Sequence, residues 1–163
     1  MLLNWLLNAL ATGCGAFFGA AGAYYLACRK EKARQKNEYL CLLLIVHEHL
    51  YSLHKVLSEI SAEFIQEIEG QKVVTFDMPL PDLAISTEQM QTLMEVAPDK
   101  QMPSALIQLQ HFLKSHSRRV SKSGSNVMSL DSVQQKVNQL QIMLLSVRVQ
   151  YEQATCAAFP LDY

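Results

Sequence analysis

The chain has 163 residues, a net charge of -1 at pH 7 and 18% charged side chains, which are values typical of a soluble domain. The distribution of the charge excludes that simple class, because every Lys, Arg, Asp and Glu lies at or beyond Arg29. About 135 residues follow the uncharged segment, which is enough for one modest domain but not for two.

Residues 1–28 are predicted to form a transmembrane helix. At 1.5 Å per residue, about 27 apolar residues reach about 40 Å, which exceeds the hydrocarbon core of about 30 Å. A cleaved signal peptide would begin with basic residues and have a shorter apolar region. A lipoprotein cut at Cys14 would leave residues 16–27 as an unexplained apolar start. These two alternatives, and a buried helix of a soluble protein, stay open.

A basic collar at residues 29–37 predicts the orientation of this helix. Its cations are Arg29, Lys30, Lys32, Arg34 and Lys36. Positive residues remain on the cytoplasmic side, so we expect a single-pass protein of the inner (plasma) membrane with its N-terminus outside. The collar is expected to bind anionic membrane lipids, at about 1 kcal/mol per residue.

Small and polar residues follow two neighbouring rows of the predicted span. The small row is Ala11, Gly15, Gly19, Ala23 and Ala27, and the polar row is Asn4, Asn8 and Thr12. A small-xxx-small row lets a second helix approach closely, and a buried amide in lipid needs a partner. The pattern favours helix–helix contact, in a homo-oligomer or with another span, over the general Gly and Ala enrichment of membrane helices. A ring of such helices would form a wet outer vestibule.

Residues 38–163 are predicted to be an all-α cytosolic domain. Apolar spacing predicts helices over 38–69, 86–96 and 103–121, and a long helix from Asp131 whose heptad-like seam runs from Leu130 to Ala154. Gly70 is expected to end the first helix, and Ser86 to cap the second as part of a capping box. Residues 72–76 are predicted to be a loop or hairpin fragment, because one strand cannot build a sheet. Residues 121–126 are predicted to be a flexible connector. The seam suits antiparallel packing or a coiled coil, and we expect an irregular four-helix bundle.

The sequence contains little that indicates an enzyme or a metal site. His47 and His49 point about 200° apart on a helix, so they cannot hold one ion together. Ribonucleases of the HEPN class need Arg-x4–6-His, and neither Arg118, Arg119 nor Arg148 is followed by such a histidine. We expect no enzyme activity, no cofactor and no metal.

Charged stretches give one further candidate site, a basic segment that could bind an anion such as a nucleotide or RNA. Its cations are Lys114, Arg118, Arg119 and Lys122. The alternative is that these residues cap their own helix and offset an acidic stripe formed by Glu59, Glu63 and Glu67 on the first cytosolic helix.

The order of these segments resembles small single-span proteins of prokaryotic phage-defence loci. The residues that carry the resemblance are the row from Ala11 to Ala23, the collar at 29–36 and the helix at 42–57, about the first third of the chain. The resemblance implies an oligomeric, pore-forming or membrane-disrupting effector controlled by its cytosolic domain. The alternatives are a non-enzymatic anchor or adaptor subunit with a cytosolic protein partner, and a sensor of an anionic nucleotide.

Overall fold

The computed structural model describes residues 2–60, 65–156 and 160, with side chains described from Gly19 onward. Helix α1 spans Leu2–Ser58 and is 57 residues long. The chain divides into two compact units, Met1–Glu38 and Tyr39–Tyr163. The first unit consists of α1 residues, and every other element belongs to the second.

The described part of the chain is mostly helical, with four helices and three short strands. In chain order they are α1 (Leu2–Ser58), β1 (Ile65–Ile68), β2 (Gln71–Phe76), α2 (Thr87–Val96), α3 (Gln101–Ser123), β3 (Asn126–Ser129) and α4 (Leu130–Thr155). The predominance of helix is confirmed. The all-α class is wrong, because the strands form one antiparallel sheet in the order β1-β2-β3.

The core of the second unit is built on the apolar face of α1 beyond Tyr39. Leu43, Val46 and Leu50 have no exposed surface, and Leu53 and Leu57 are almost fully buried. Their three- and four-residue spacing places them on one side of the helix. Residues of α2, α3, α4 and the segment between β2 and α2 complete the same apolar cluster.

A tight hairpin replaces the last part of the helix that the sequence predicts over 38–69. Strand β1 pairs with β2 so that Ile68 lies opposite Gln71, which leaves Glu69 and Gly70 as a two-residue turn. Both have positive φ, 52° and 78°, as a type I′ hairpin turn requires. Gly70 therefore closes a hairpin rather than a helix.

Strand β3 makes the hairpin into a sheet. It pairs with β2 from Val73 opposite Ser129 to Phe76 opposite Asn126. The extended segment at 72–76 is thus the central strand of this sheet. Of the two predicted alternatives, the hairpin fragment is confirmed and the loop is wrong, and the third strand was not predicted. The predicted acidic stripe does not lie on one helix. Glu59 follows the end of α1 and Glu67 lies on β1, whereas Glu63 is outside the described residues.

The predicted ends of the later helices are largely confirmed. Ser86 accepts a hydrogen bond from the Gln89 backbone and donates its own backbone N–H to the Gln89 side chain, which is a complete capping box. Helix α4 begins at Leu130, beside the predicted Asp131. The connector at 121–126 is shorter than expected, because α3 continues to Ser123 and ends on Gly124, whose φ is 75°.

The seam of α4 packs inward. Val133, Leu140 and Val147 are buried in the core, so this row contacts other elements of its own unit. Near its C-terminal end, Tyr39 on α1 donates a hydrogen bond of 2.5 Å from its hydroxyl to the Gln150 side chain on α4.

Candidate functional site

The N-terminal part of α1 contains the residues predicted to form the oligomer or pore surface. Five of them, Asn4, Asn8, Ala11, Thr12 and Gly15, lie in the helix, but their side chains are outside the described ones. Gly19 and Ala23 are exposed, and a Cβ at Gly19 would meet nothing within 4 Å.

Large apolar side chains of the same segment are exposed as well. Tyr24, Tyr25 and Leu26 are 74%, 66% and 56% exposed. Among the residues with described side chains, the one helical stretch that is long and apolar enough to cross a membrane is Gly19–Ser58, by length and composition alone. From Tyr39 onward, this stretch packs into the core of the second unit. Its earlier residues, 19–38, are almost all exposed to solvent.

The collar cations occupy two faces of α1. At 100° per residue, Arg29, Lys32 and Lys36 lie within about 60° of one another. Arg34 lies on the other side, 3.1 Å from Glu31 and 3.7 Å from Glu38. All five cations are exposed. The first face is therefore uniformly basic, whereas Arg34 is partly neutralised by its own helix.

Helix α3 separates the four cations of the predicted anion-binding segment. Lys114, Arg118 and Lys122 follow one another at four-residue steps on an exposed row. Arg119 lies about 100° away from Arg118 and lines a cavity that none of the other three cations lines.

This cavity lies where α3, β3 and the first turn of α4 meet, and its volume is about 300 Å³. Its polar lining residues are Ser115, His116, Arg119, Asn126, Ser129 and Ser132. The chain brings them together because Gly124 ends α3 in a left-handed conformation and β3 begins two residues later. Strand β3 then runs beside the end of α3, and Ser129 caps α4 by accepting a hydrogen bond from the Ser132 backbone at 3.3 Å.

Two buried polar side chains form the inner wall of the cavity. His116 is 2% exposed and Asn126 is 7% exposed. The Asn126 amide nitrogen lies 2.6 Å from His116 Nδ1, so the amide donates to a neutral imidazole. The His116 ring also packs on Phe76 in a T-shaped arrangement, with 5.3 Å between ring centroids. These contacts fix the imidazole in place.

The electrostatic environment of His116 disfavours its charged form. Burial lowers the pKa of His116 below 6.5, and the nearby Arg119 lowers it further, although the Met78 backbone acts in the opposite direction. That opposing effect comes from a hydrogen bond between the Met78 backbone and the His116 ring. Among the described residues, no carboxylate forms an ion pair with Arg119.

Most of this site is not apparent in the sequence. Arg119 belongs to the predicted basic segment, and His116 lies within it. Asn126, Ser129 and Ser132 were missed, because a run of Ser, Gly and Asn is typical of a flexible connector. The signal that could have located them is Gly124, which can end a helix and return the chain along it.

The histidines of α1 do not form a comparable site. His47 is 4% exposed and stacks on Tyr51 with 6.4 Å between ring centroids. Over the part of the chain that the structure describes, no three His, Cys, Asp or Glu side chains gather closely enough to hold a metal ion.

Comparisons with known proteins add no relationship: no family model, no curated protein and no solved structure matches the chain. The site must therefore be interpreted from its own geometry.

Proposed function

We propose that this chain is a single-pass protein of the inner membrane that oligomerises through its first helix and acts as a pore-forming or membrane-disrupting effector of the phage-defence type. Its N-terminus lies outside and its irregular helical bundle lies in the cytoplasm, where it controls the effector. The observation that carries the proposal is the exposed small and apolar surface of α1 from Gly19 to Leu26, the part before Arg29 whose side chains are described. Exposure of apolar surface to water costs about 25 cal/mol of free energy for each Å². Tyr24, Tyr25 and Leu26 avoid this cost when lipid or a second helix covers them.

The open space over Gly19 supports helix–helix contact in particular. A Cβ at Gly19 or Gly22 would meet nothing within 4 Å, so these glycines are not required by packing within their own chain. In a membrane, small residues of this kind let two backbones approach closely. The polar row of Asn4, Asn8 and Thr12 would then lie beside the contact and supply the hydrated part of a pore.

The proposal is tested by leakage of a trapped dye from liposomes of anionic lipid that contain the full chain. We expect leakage from the natural sequence and its loss in Gly15→Leu and Gly19→Leu, because leucine separates the helices. Ala21→Leu is the matched control, since Ala21 lies about 160° from Gly19 on the helix and should leave leakage unchanged. Leakage that persists in both glycine variants would overturn the proposal.

A second candidate function is a non-enzymatic anchor or adaptor that binds a cytosolic protein. The observation that favours it is an exposed apolar row on α4, outside the buried seam, formed by Ile142, Leu145 and Val149, which are 69%, 63% and 40% exposed. This function requires no leakage. Intact liposomes, together with a partner that is lost in Leu145→Glu, would favour the adaptor over the effector.

A further inference from the structure

The cavity between α3, β3 and α4 has a chemistry that the predicted row of surface cations does not explain. We propose that it binds the phosphate group of a small phosphorylated ligand, with Arg119 as the cation and the Ser115, Ser132 and Asn126 side chains as neutral donors. A ligand in this cavity would bind the second unit alone, whatever the first helix does.

Arg119 brings an uncompensated positive charge to the cavity. This side chain lines the cavity and has no carboxylate partner among the described residues. The guanidinium presents paired N–H donors that match two oxygens of a phosphate. A site with one unpaired arginine and several hydroxyls therefore favours an oxyanion over a neutral or cationic ligand.

The inner wall of the cavity adds a buried polar group that is independent of the arginine. His116 lines the cavity, is 2% exposed, and orients the Asn126 side chain through a contact of 2.6 Å between its Nδ1 and the amide nitrogen. Asn126, also buried, uses one amide hydrogen on His116 and retains a second for a ligand.

The cavity lies at the first turn of α4, a helix of 26 residues. Ser129 is the N-cap of α4 and Ser132 is its third residue. The backbone N–H groups of this turn and the helix dipole both favour a negative charge nearby. These terms add to the arginine and the buried pair, which already define the site.

The size of the cavity limits the ligand. Its volume of about 300 Å³ lies at the lower end of the range for small-molecule sites. Nucleic acids bind through many phosphate contacts to rows of cations, whereas Arg119 is the one cation that lines this cavity. The geometry therefore points to one phosphate and a small attached group rather than to RNA.

The test is a titration of the full chain in maltoside micelles, in phosphate-free buffer, with inorganic phosphate, sulfate, adenosine monophosphate and glycerol 3-phosphate as separate probes. Calorimetry gives the affinity, and the ¹⁵N chemical shift of the His116 ring reports whether binding occurs at the cavity. We expect saturable binding of inorganic phosphate that shifts His116. Tighter binding of the nucleotide or of glycerol phosphate identifies whether the phosphate comes from a nucleotide or from a lipid headgroup.

Two variants and one matched control locate the binding. Arg119→Gln should weaken phosphate binding by about tenfold to a hundredfold, as expected for charge-assisted hydrogen bonds. Arg118→Gln removes a neighbouring arginine outside the cavity and should change the affinity by less than about twofold. Ser132→Asp should abolish binding by repulsion, and the fold should persist because an acidic residue suits the first turn of a helix.

Three results would overturn the proposal. They are the absence of saturable binding for all four probes, equal weakening in Arg119→Gln and Arg118→Gln, and equal affinity for sulfate and phosphate. None of them affects the leakage experiment, and loss of leakage in the glycine variants leaves phosphate binding unchanged. The two proposals can thus fail separately.

Discussion

At the scale of single residues, the second unit contains two buried histidines whose environments favour the neutral form. Burial lowers the pKa of His116, with Arg119 adding to the effect. Burial also lowers the pKa of His47, where Arg148 acts in the same direction and Glu48 against it. Since the unfolded chain protonates its histidines near pH 6.5, it binds more protons than the folded chain just below that pH.

These shifts predict acid sensitivity. The stability that both histidines contribute is fully present above about pH 6.5 and is lost as the pH falls toward their lower folded values, at no more than about 1.4 kcal/mol per pH unit for each. His116→Gln keeps an amide for Asn126 and should make this dependence shallower. Urea titrations of the full chain in micelles, followed by far-UV circular dichroism between pH 7.5 and 5, measure it.

The exposed His111 on the same helix provides the control. His111→Gln should leave the pH dependence as it is in the natural sequence. A dependence that is equally steep in His116→Gln and His111→Gln would contradict the assignment of acid sensitivity to His116.

At the scale of elements, the contact between α1 and α4 depends on a buried polar pair. Tyr39 is 4% exposed and Gln150 5% exposed, and their hydrogen bond joins residues 111 positions apart. Burial, and to a smaller extent Asp99, raises the pKa of Tyr39 to about 12. The phenol therefore remains a donor at neutral pH. The Gln150 amide also donates to Ser146 on its own helix, at 3.2 Å.

Removal of this donor should destabilise the second unit. Tyr39→Phe leaves the buried Gln150 oxygen without its donor and should lower the free energy of unfolding by about 1–3 kcal/mol in urea titrations. The double variant Tyr39→Phe, Gln150→Leu removes both partners and should recover most of the loss, since two apolar groups pack without an unsatisfied atom. A double variant less stable than Tyr39→Phe would show that packing, not the hydrogen bond, stabilises this contact.

Elements that depend on local signals were predictable from the sequence. The capping box of α2 joins residues three apart, Ser86 and Gln89, and it could be predicted for that reason. The sheet depends on β3, which lies about 50 residues after β2, so no local pattern indicates it. Gly70 gave an ambiguous signal, because the same positive φ suits a helix C-terminus and a hairpin turn.

The candidate site follows the same division. Arg119 was predicted as part of a basic segment, since charge is visible in the sequence. Arg119 rather than Arg118 lines the cavity because of the way α3 packs on β3. The sequence alone does not show the direction of β3 after Gly124, so this difference could not be predicted. Asn126 acquires its role when pairing with Phe76 places it beside His116.

At the scale of the whole molecule, the thiols offer a test of how the chain lies in a membrane. Cys41 on α1 and Cys156 at the end of α4 are free and exposed, and both belong to the second unit. The basic collar precedes this unit and predicts that it remains on the cytoplasmic side. A reagent that cannot cross membranes should therefore reach these cysteines from that side alone.

The chain for this measurement carries Cys14→Ser and Cys28→Ser, so that the label reports on Cys41 and Cys156. In bacterial spheroplasts, where the outer face is accessible, we expect an impermeant maleimide to leave the protein unlabelled, and in inverted vesicles to label it. After detergent is added, the protein should be labelled in both spheroplasts and inverted vesicles, which controls for the reactivity of the two thiols. Labelling in spheroplasts would reverse the proposed orientation, and extraction of the protein by carbonate washing would show that α1 does not span the membrane.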